Sequence, residues 1–556
     1  MDSLRWPWLF IFVLLFATLA INLSHSLHGT DECREAGIAR EMADSSDFVV
    51  PRLNGKPFLE KPPLFYAATA LSIRLLGPSE TAARIPSSIF ALCAVLAVFA
   101  AGKRFSGSSA GGVVAAIALG TSRSFQEAAH HCVTDIAVAA TVSLAFWAFE
   151  RIVATDQWFR WGVLFYTALA FGFLSKNLFG VAIPGIATLA YVILGRDVRC
   201  FRRIVFNPGI FVFLTVGGFW VRALYQAGQR EPPGGLGLVF LRETLVANNF
   251  GRFTGVFGGH TSARPYEVIA WLAAALLPWT PLAVLAAVDV LRKAFSNKPL
   301  QERRSQLLLV AWMIVPATLI AASQSKRASY MVALIAPFAT AVGAWWQETS
   351  ANPAWRARRL IIACAAIAAS SAPAVLAARD YSASGKITGT ALCLPVVAIF
   401  LLAVAVWTVR TGGAERLSLL TALGAVTFSC GWLDGAIVEA RDRVGEGPFH
   451  REVSGLAHTG ELGAVGYGER EFGSAYFYLG RTITDLNGRT PVDLGDFLDR
   501  PGTAGILLAH RKSGDVVPTA KEAIRFYFGE HPPPMLIRDE SFSAKRRLVF
   551  IGRAEQ

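Results

Sequence analysis

Residues Asp31 to Pro63 read DECREAGIAREMADSSDFVVPRLNGKPFLEKPP. They form a polar loop dense in carboxylates and bases, placed directly after a first hydrophobic run near residues 8–26. What lies on either side of this loop decides the fold. Further apolar runs centre near 85–102, 108–124, 134–149, 161–175, 178–195, 206–224, 267–289, 306–322, 330–346, 359–377, 389–409 and 417–434. About 20 apolar residues, rising 1.5 Å each as a helix, cross a hydrocarbon core of roughly 30 Å. The pattern predicts a mostly α-helical, polytopic membrane protein of about thirteen transmembrane helices.

Composition agrees. Of 556 residues, 53% are hydrophobic and only 17% charged, and the mean hydropathy is +0.43. A soluble domain carries roughly 25% charged residues. The bilayer is therefore the solvent for most of this chain.

Basic residues in short loops set the orientation. With the N-terminus inside, the inner connections hold Lys103 and Arg104, Arg151 and Arg160, then Arg196, Arg199, Arg202 and Arg203, and later Arg292, Lys293, Arg303 and Arg304. The net charge of +13 is mostly this topogenic signal. No basic stripe interleaved with aromatics accompanies it, so nucleic acid is not an expected partner. An odd number of spans puts the C-terminus outside.

From about residue 436 the apolar runs give way to mixed charge. Strand-like runs 462–466, 505–509 and 548–552 alternate with helix-like 471–479 and 519–528, which predicts a small external α/β domain. The expected division is a transmembrane domain over 1–435 and an extracytoplasmic domain over 436–556.

The polar residues left over by this topology share one face. Asp31, Glu32, Arg34, Glu60 and Lys61 fall in the first outer loop, and Asp135 at the outer mouth of the fourth span. Lys176 falls at the turn between the fifth and sixth spans, and Asn249, Arg252 and His260 in a long outer loop near 225–265. Lys326, Arg327 and Tyr330 fall at the outer turn between the ninth and tenth spans, on the side where cations are disfavoured. Bland readings stand beside each. Asp31 and Glu32 also suit the first turn of a helix, Glu60-Lys61 an exposed ion pair, and Lys176 a snorkelling lysine.

Three segments of the first loop, Asp31-Glu32-Cys33-Arg34-Glu35-Ala36, Val50-Pro51-Arg52-Leu53-Asn54-Gly55 and Glu60-Lys61-Pro62-Pro63-Leu64-Phe65-Tyr66, come in one order. They resemble the first external loop of the bacterial lipid A aminoarabinose transferases. That group belongs to the protein mannosyltransferase-like branch of polytopic glycosyltransferases with the GT-C architecture. His130 to Asp135, Phe173-Leu174-Ser175-Lys176, Asn249 to Phe253 with His260, Ser323-x-x-Lys326-x-x-x-Tyr330 and Phe477 to Arg481 resemble later motifs of the same family. This chain departs from the pattern at Asn177 (usually Gly), at Arg327-Ala328-Ser329 and at Cys33.

The resemblance implies transfer of a sugar from a polyprenyl-phosphate carrier to lipid A, or to another glycolipid or glycan, outside the bacterial inner membrane. The best guess for the sugar is 4-amino-4-deoxy-L-arabinose. It implies Asp31, with Asp135 and Glu32, as the catalytic carboxylates. Lys61, Arg34, Lys176, Lys326, Arg327 and Tyr330 would hold the donor phosphate, because charge developing on a leaving phosphate needs fixed cations. It also suggests a divalent metal, zinc or magnesium, on Glu60 and His260. The alternatives are a protein or glycan mannosyltransferase of the same fold, or a flippase for lipid-linked sugar. A flippase calls for ionisable groups at mid-bilayer and matched inverted halves, and the sequence has neither.

Overall fold

The computed structural model describes residues 15, 19–20, 23–256, 263–350, 446–457, 459–511, 535–543 and 546–553. The chain forms two compact units. The first takes Met1–Asn22, Leu59–Phe65 and Ser87–Ile437; the second takes Leu23–Phe58, Tyr66–Pro86 and Val438–Gln556. The C-terminal segment therefore shares its unit with 23–58 and 66–86, stretches expected to go with the membrane part.

The described residues of the first unit are mostly helical. Among the described residues six helices are long and apolar enough to cross a membrane, or seven if the bent pair Glu267–Ala275 and Thr280–Ala294 counts as one span. The expected spans at 359–377, 389–409 and 417–434, and most of 8–26, lie outside the described residues. One of the six, Trp158–Leu194, has 37 residues, about 55 Å as a straight helix and nearly twice the hydrocarbon core. It does not run straight. Lys176 (φ −153°, ψ 42°) and Asn177 (φ 51°, ψ −138°) leave helical geometry. The halves fold back on each other, so that a Cβ on Gly180 would sit 2.2 Å from the Gly172 carbonyl oxygen. Glycines at the crossing permit this backbone approach, the usual device where helices pack in lipid. The two-span turn expected at Lys176 is this hairpin.

Small residues serve elsewhere as well. A Cβ on Gly343 would meet the Gly111 carbonyl at 2.3 Å, joining the Ser109–Gly120 and Ile335–Ser350 helices. Larger gaps are filled by aromatics, with Trp312 against Phe146 and Phe149 at centroid distances of 5.2 and 6.0 Å.

The second unit contains a two-stranded ribbon, β1 (Arg52–Leu53) and β2 (Lys56–Pro57), and a five-stranded sheet. The sheet strands are β3 (Glu461–Val465), β4 (Thr484–Asp485), β5 (Thr503–Arg511), β6 (Met535–Ser543) and β7 (Arg546–Arg553), in the order β4-β3-β5-β7-β6. β3 pairs parallel with β4 and β5, while β7 pairs antiparallel with β5 and β6. Side chains alternate across a strand. Leu507, Leu548 and Phe550 pack with Phe449 and Val453, whereas Ile506, Leu508, Val549 and Ile551 pack with Leu494 and Phe497. Cover on both faces explains why β5 and β7 read as unbroken apolar runs. The helix-like stretch 519–528 lies outside the described residues.

The first part of the polar loop of the sequence reading, up to Ser45, is a helix, Thr30–Ser45. Its buried Cys33, Ala36, Ile38, Ala39 and Met42 give it an inner face. Gly37 meets Gly473 of the Glu469–Leu479 helix at backbone contact.

Candidate active site

In the first unit the hairpin break carries Lys176, and the first turn of the Thr134–Ala154 helix carries Asp135, where the helix dipole favours a carboxylate. Lys176 Nζ donates to Asp135 Oδ1 at 2.6 Å, with the side chains 15% and 13% exposed. The same ammonium lies 4.4 Å from the Tyr330 ring centroid and 5.2 Å from that of Phe179. A cation over an aromatic face gains from the ring quadrupole.

Beside it runs the Leu59–Lys61 backbone. The Glu60 carboxylate accepts from Arg252 at 2.8 Å. Arg252 follows a π-helical segment, Arg242–Gly251, a geometry found mostly at functional sites. Arg327 stands at the start of the short Ala328–Leu334 turn that carries Tyr330, whose backbone N–H donates to the Arg327 carbonyl at 3.1 Å. A cavity of 550 Å³ opens beside Lys176 and Glu60. Glu60, Lys61, Lys176, Arg252 and Tyr330 line it together with the polar Asn177, Asn248, Asn249, Ser323 and Ser325, and most of the remaining lining is apolar, with Phe179, Phe250, Phe253 and Ile320 among it. A charged head on an apolar slot suits an amphiphile with an anionic headgroup.

Lys326, expected to hold phosphate, is engaged by backbone. It is 6% exposed, and its ammonium donates to the carbonyls of Ala321 (3.3 Å) and Ser323 (2.6 Å), so it caps the Leu300–Ala322 helix. His260 lies outside the described residues. Among the described residues no group of three or more His, Cys, Asp or Glu is arranged to hold a metal.

Asp31, Glu32 and Arg34 belong to the second unit. Arg34 is buried and donates to Asp31 (2.7 Å), Glu35 (2.7 Å) and Glu469 (2.8 Å). In this arrangement its guanidinium is taken up by carboxylates and holds Asp31. Glu32, expected among the catalytic carboxylates, pairs with Arg84 at 2.7 Å, the two side chains 1% and 0% exposed, and accepts from the His28 backbone at 2.8 Å. Arg84 also donates to the carbonyls of Leu23, His25 and Ser26. Asp31 keeps one quarter of its side chain exposed.

Sequence reading passed over Arg84 and Asn248. Arg84 sits in an apolar stretch, a position where an arginine ought to have a buried partner. Asn248 stands next to the Asn249–Phe253 motif and was hidden by it.

The family described as dolichyl-phosphate-mannose-protein mannosyltransferase matches residues 60–220. The undecaprenyl phosphate-alpha-4-amino-4-deoxy-L-arabinose arabinosyl transferase of Edwardsiella ictaluri is 26% identical over 57% of this chain. The protein of the same name from Serratia proteamaculans is 25% identical over 63% of it. The chain spans little more than half the length of these relatives, 55% and 60%. Among solved structures, ArnT from Cupriavidus metallidurans bound to undecaprenyl phosphate superposes with a TM-score of 0.76 at 18% identity, over 99% of both chains. Its apo state gives 0.72 at 20%, over 98% and 97%. The fold therefore defines a multi-pass membrane protein of the GT-C type. Within that class the chain is ArnT-like in architecture and similar in sequence to the aminoarabinose transferases.

Proposed function

We propose that this protein is a glycosyltransferase that moves a sugar from undecaprenyl phosphate to lipid A, the sugar being 4-amino-4-deoxy-L-arabinose. The observation that carries the reading is the cavity, whose cationic head and apolar wall match a phosphate on a polyprenyl chain. An acceptor oxygen attacks the anomeric carbon, the bond from that carbon to the donor phosphate oxygen breaks, and the electron pair leaves with the lipid phosphate. Lys61, Arg252 and Arg327, with the Tyr330 hydroxyl, stabilise the charge that develops there. Lys176 adds to this when it loosens from Asp135. On the acceptor side Asp31, held by Arg34, is the carboxylate that orients or deprotonates the acceptor, a role supported by its motif. The reaction takes place at the periplasmic side of the inner membrane, which the loop charges support.

A divalent ion on Glu60 and His260 would have to displace Arg252 from Glu60.

The test is transfer by the purified protein in nanodiscs, from the undecaprenyl phosphate-linked sugar to lipid A, read by mass spectrometry. Asp31→Asn should abolish transfer while leaving the melting temperature within a degree or two. Absence of transfer by the parental protein to lipid A, other glycolipids or peptide sinks the reading.

A further inference from the structure

Two asparagines hold the backbone from which Lys61 projects. The Asn248 carboxamide donates to the Leu59 carbonyl at 3.3 Å and to that of Glu243 at 2.8 Å. The Asn177 carboxamide donates to the Glu60 carbonyl at 3.4 Å and to that of Thr244 at 3.1 Å. Each amide thus ties one residue of the Leu59–Glu60 backbone to the first turn of the π-helical segment. Asn177 does so from φ 51°, ψ −138°, in the half of conformational space that glycine enters freely and other residues enter at a cost. Its side chain is nearly enclosed, at 2% exposure. A strained residue persists where its surroundings over-determine it, and such residues gather at functional sites. Glycine would relieve the backbone but would carry no carboxamide. Pro62 and Pro63 restrict the chain on the other side of Lys61.

We infer that Asn177 and Asn248 are positioning residues, an amide clamp that sets the Lys61 ammonium against the phosphate of a polyprenyl phosphate. This rests on the cavity being the donor site. A point charge acts on a developing charge only when its geometry is fixed beforehand, and small displacements are costly.

The experiment uses the full chain in nanodiscs and titrates undecaprenyl phosphate into the parental protein, Asn177→Gly, Asn248→Ala, Lys61→Ala and the double variant Asn177→Gly/Lys61→Ala. Asn177→Gly should weaken affinity about tenfold, with a melting temperature equal to or above the parental value, and should add nothing in the Lys61→Ala background. Asn248→Ala should follow the same pattern more mildly. Unchanged affinity in Asn177→Gly, or the same fold loss with and without Lys61, overturns the clamp. Amide hydrogen exchange over 58–61 reads it without ligand: Asn177→Gly should exchange faster there, and parental rates would overturn the proposal. Faster exchange in a protein that binds no undecaprenyl phosphate overturns the donor-site reading instead, and with it the clamp's role toward a phosphate.

Discussion

Glu32–Arg84 and Asp135–Lys176 are both carboxylate–cation pairs anchored at helix ends, one in each compact unit, with N···O distances of 2.7 and 2.6 Å. Distance does not separate them. Surroundings do. Arg84 is fully enclosed and its guanidinium is filled by Glu32 and three backbone carbonyls. Lys176 has one carboxylate, shares its charge with two aromatic rings, and borders a 550 Å³ cavity. A saturated, dry pair can only hold the fold together. A pair with an open side can exchange its partner for an anionic ligand.

The largest expected effect comes from breaking the dry pair. Arg84→Met leaves the Glu32 carboxylate buried without its cation, which costs about 3–5 kcal/mol. Combining it with Glu32→Gln should recover much of that loss, because the stranded charge is gone. Lys176→Met should cost far less, since Asp135 keeps some access to water. Chemical denaturation in detergent, followed by Trp fluorescence, measures all three. Equal losses for Arg84→Met and Lys176→Met would remove the contrast.

The open side should show itself in turnover. Lys61→Ala should reduce kcat/KM by roughly 10²–10³-fold, the scale for removing a preorganised group that meets developing charge. The loss should appear in both undecaprenyl phosphate affinity and kcat, because the same cation contacts ground state and transition state. Arg327→Ala should cost about tenfold, since it stands at the start of the turn that brings Tyr330 to the cavity. Steady-state kinetics with a titration of undecaprenyl phosphate decides the order, and an Arg327 loss exceeding that of Lys61 would move the phosphate toward the Tyr330 turn.

What the sequence revealed follows from how local each cause is. The Lys176 hairpin was legible because an apolar stretch of 37 residues is too long for one crossing. The strands β3, β5 and β7 were legible because both of their faces are covered, which leaves an apolar run in the sequence. The charges of the cavity could be collected on one face by counting spans. Which of them are free to act could not. Glu32 and Arg84 are 52 residues apart, and nothing near either announces that they will meet. Arg34 looked like a phosphate ligand because Glu469, which helps to occupy it, lies 435 residues away. The helix at 30–45 was missed because its charges drew the reading toward a loop, though Ala36, Ala39 and Ala43 are good helix formers.

The dry character of the second unit has a consequence in pH. His450 is fully buried between Ser474 and Tyr467, and burial pushes its imidazole down from the usual 6.5 to about 3. It is therefore neutral in the folded state, while the unfolded chain takes up a proton below about pH 6.5. Stability is full above that value and falls as the pH drops toward 3, by about 1.4 kcal/mol per unit. Between pH 7 and 5 the loss is about 2 kcal/mol, and His450→Gln should flatten the profile. Melting curves across that range check it; a stability that rises on acidification contradicts a neutral His450.

The finest version of the contrast lies within one dipeptide. Lys326 and Arg327 are adjacent cations, and both were expected to hold phosphate. Lys326 spends its ammonium on the carbonyls of Ala321 and Ser323 at the end of the Leu300–Ala322 helix, whereas Arg327 opens the turn that carries Tyr330. Lys326→Met keeps most of the buried stem and removes only the cap, a change worth about 1 kcal/mol. It should lower the melting temperature slightly and leave undecaprenyl phosphate affinity within about twofold of the parental value, since an interaction energy near zero between separate roles is what additivity requires. Arg327→Ala should do the reverse, weakening affinity at nearly constant stability. If Lys326→Met weakens affinity as much as Arg327→Ala, its ammonium leaves the helix end when donor binds, and the division between a structural and a working cation does not hold at this turn.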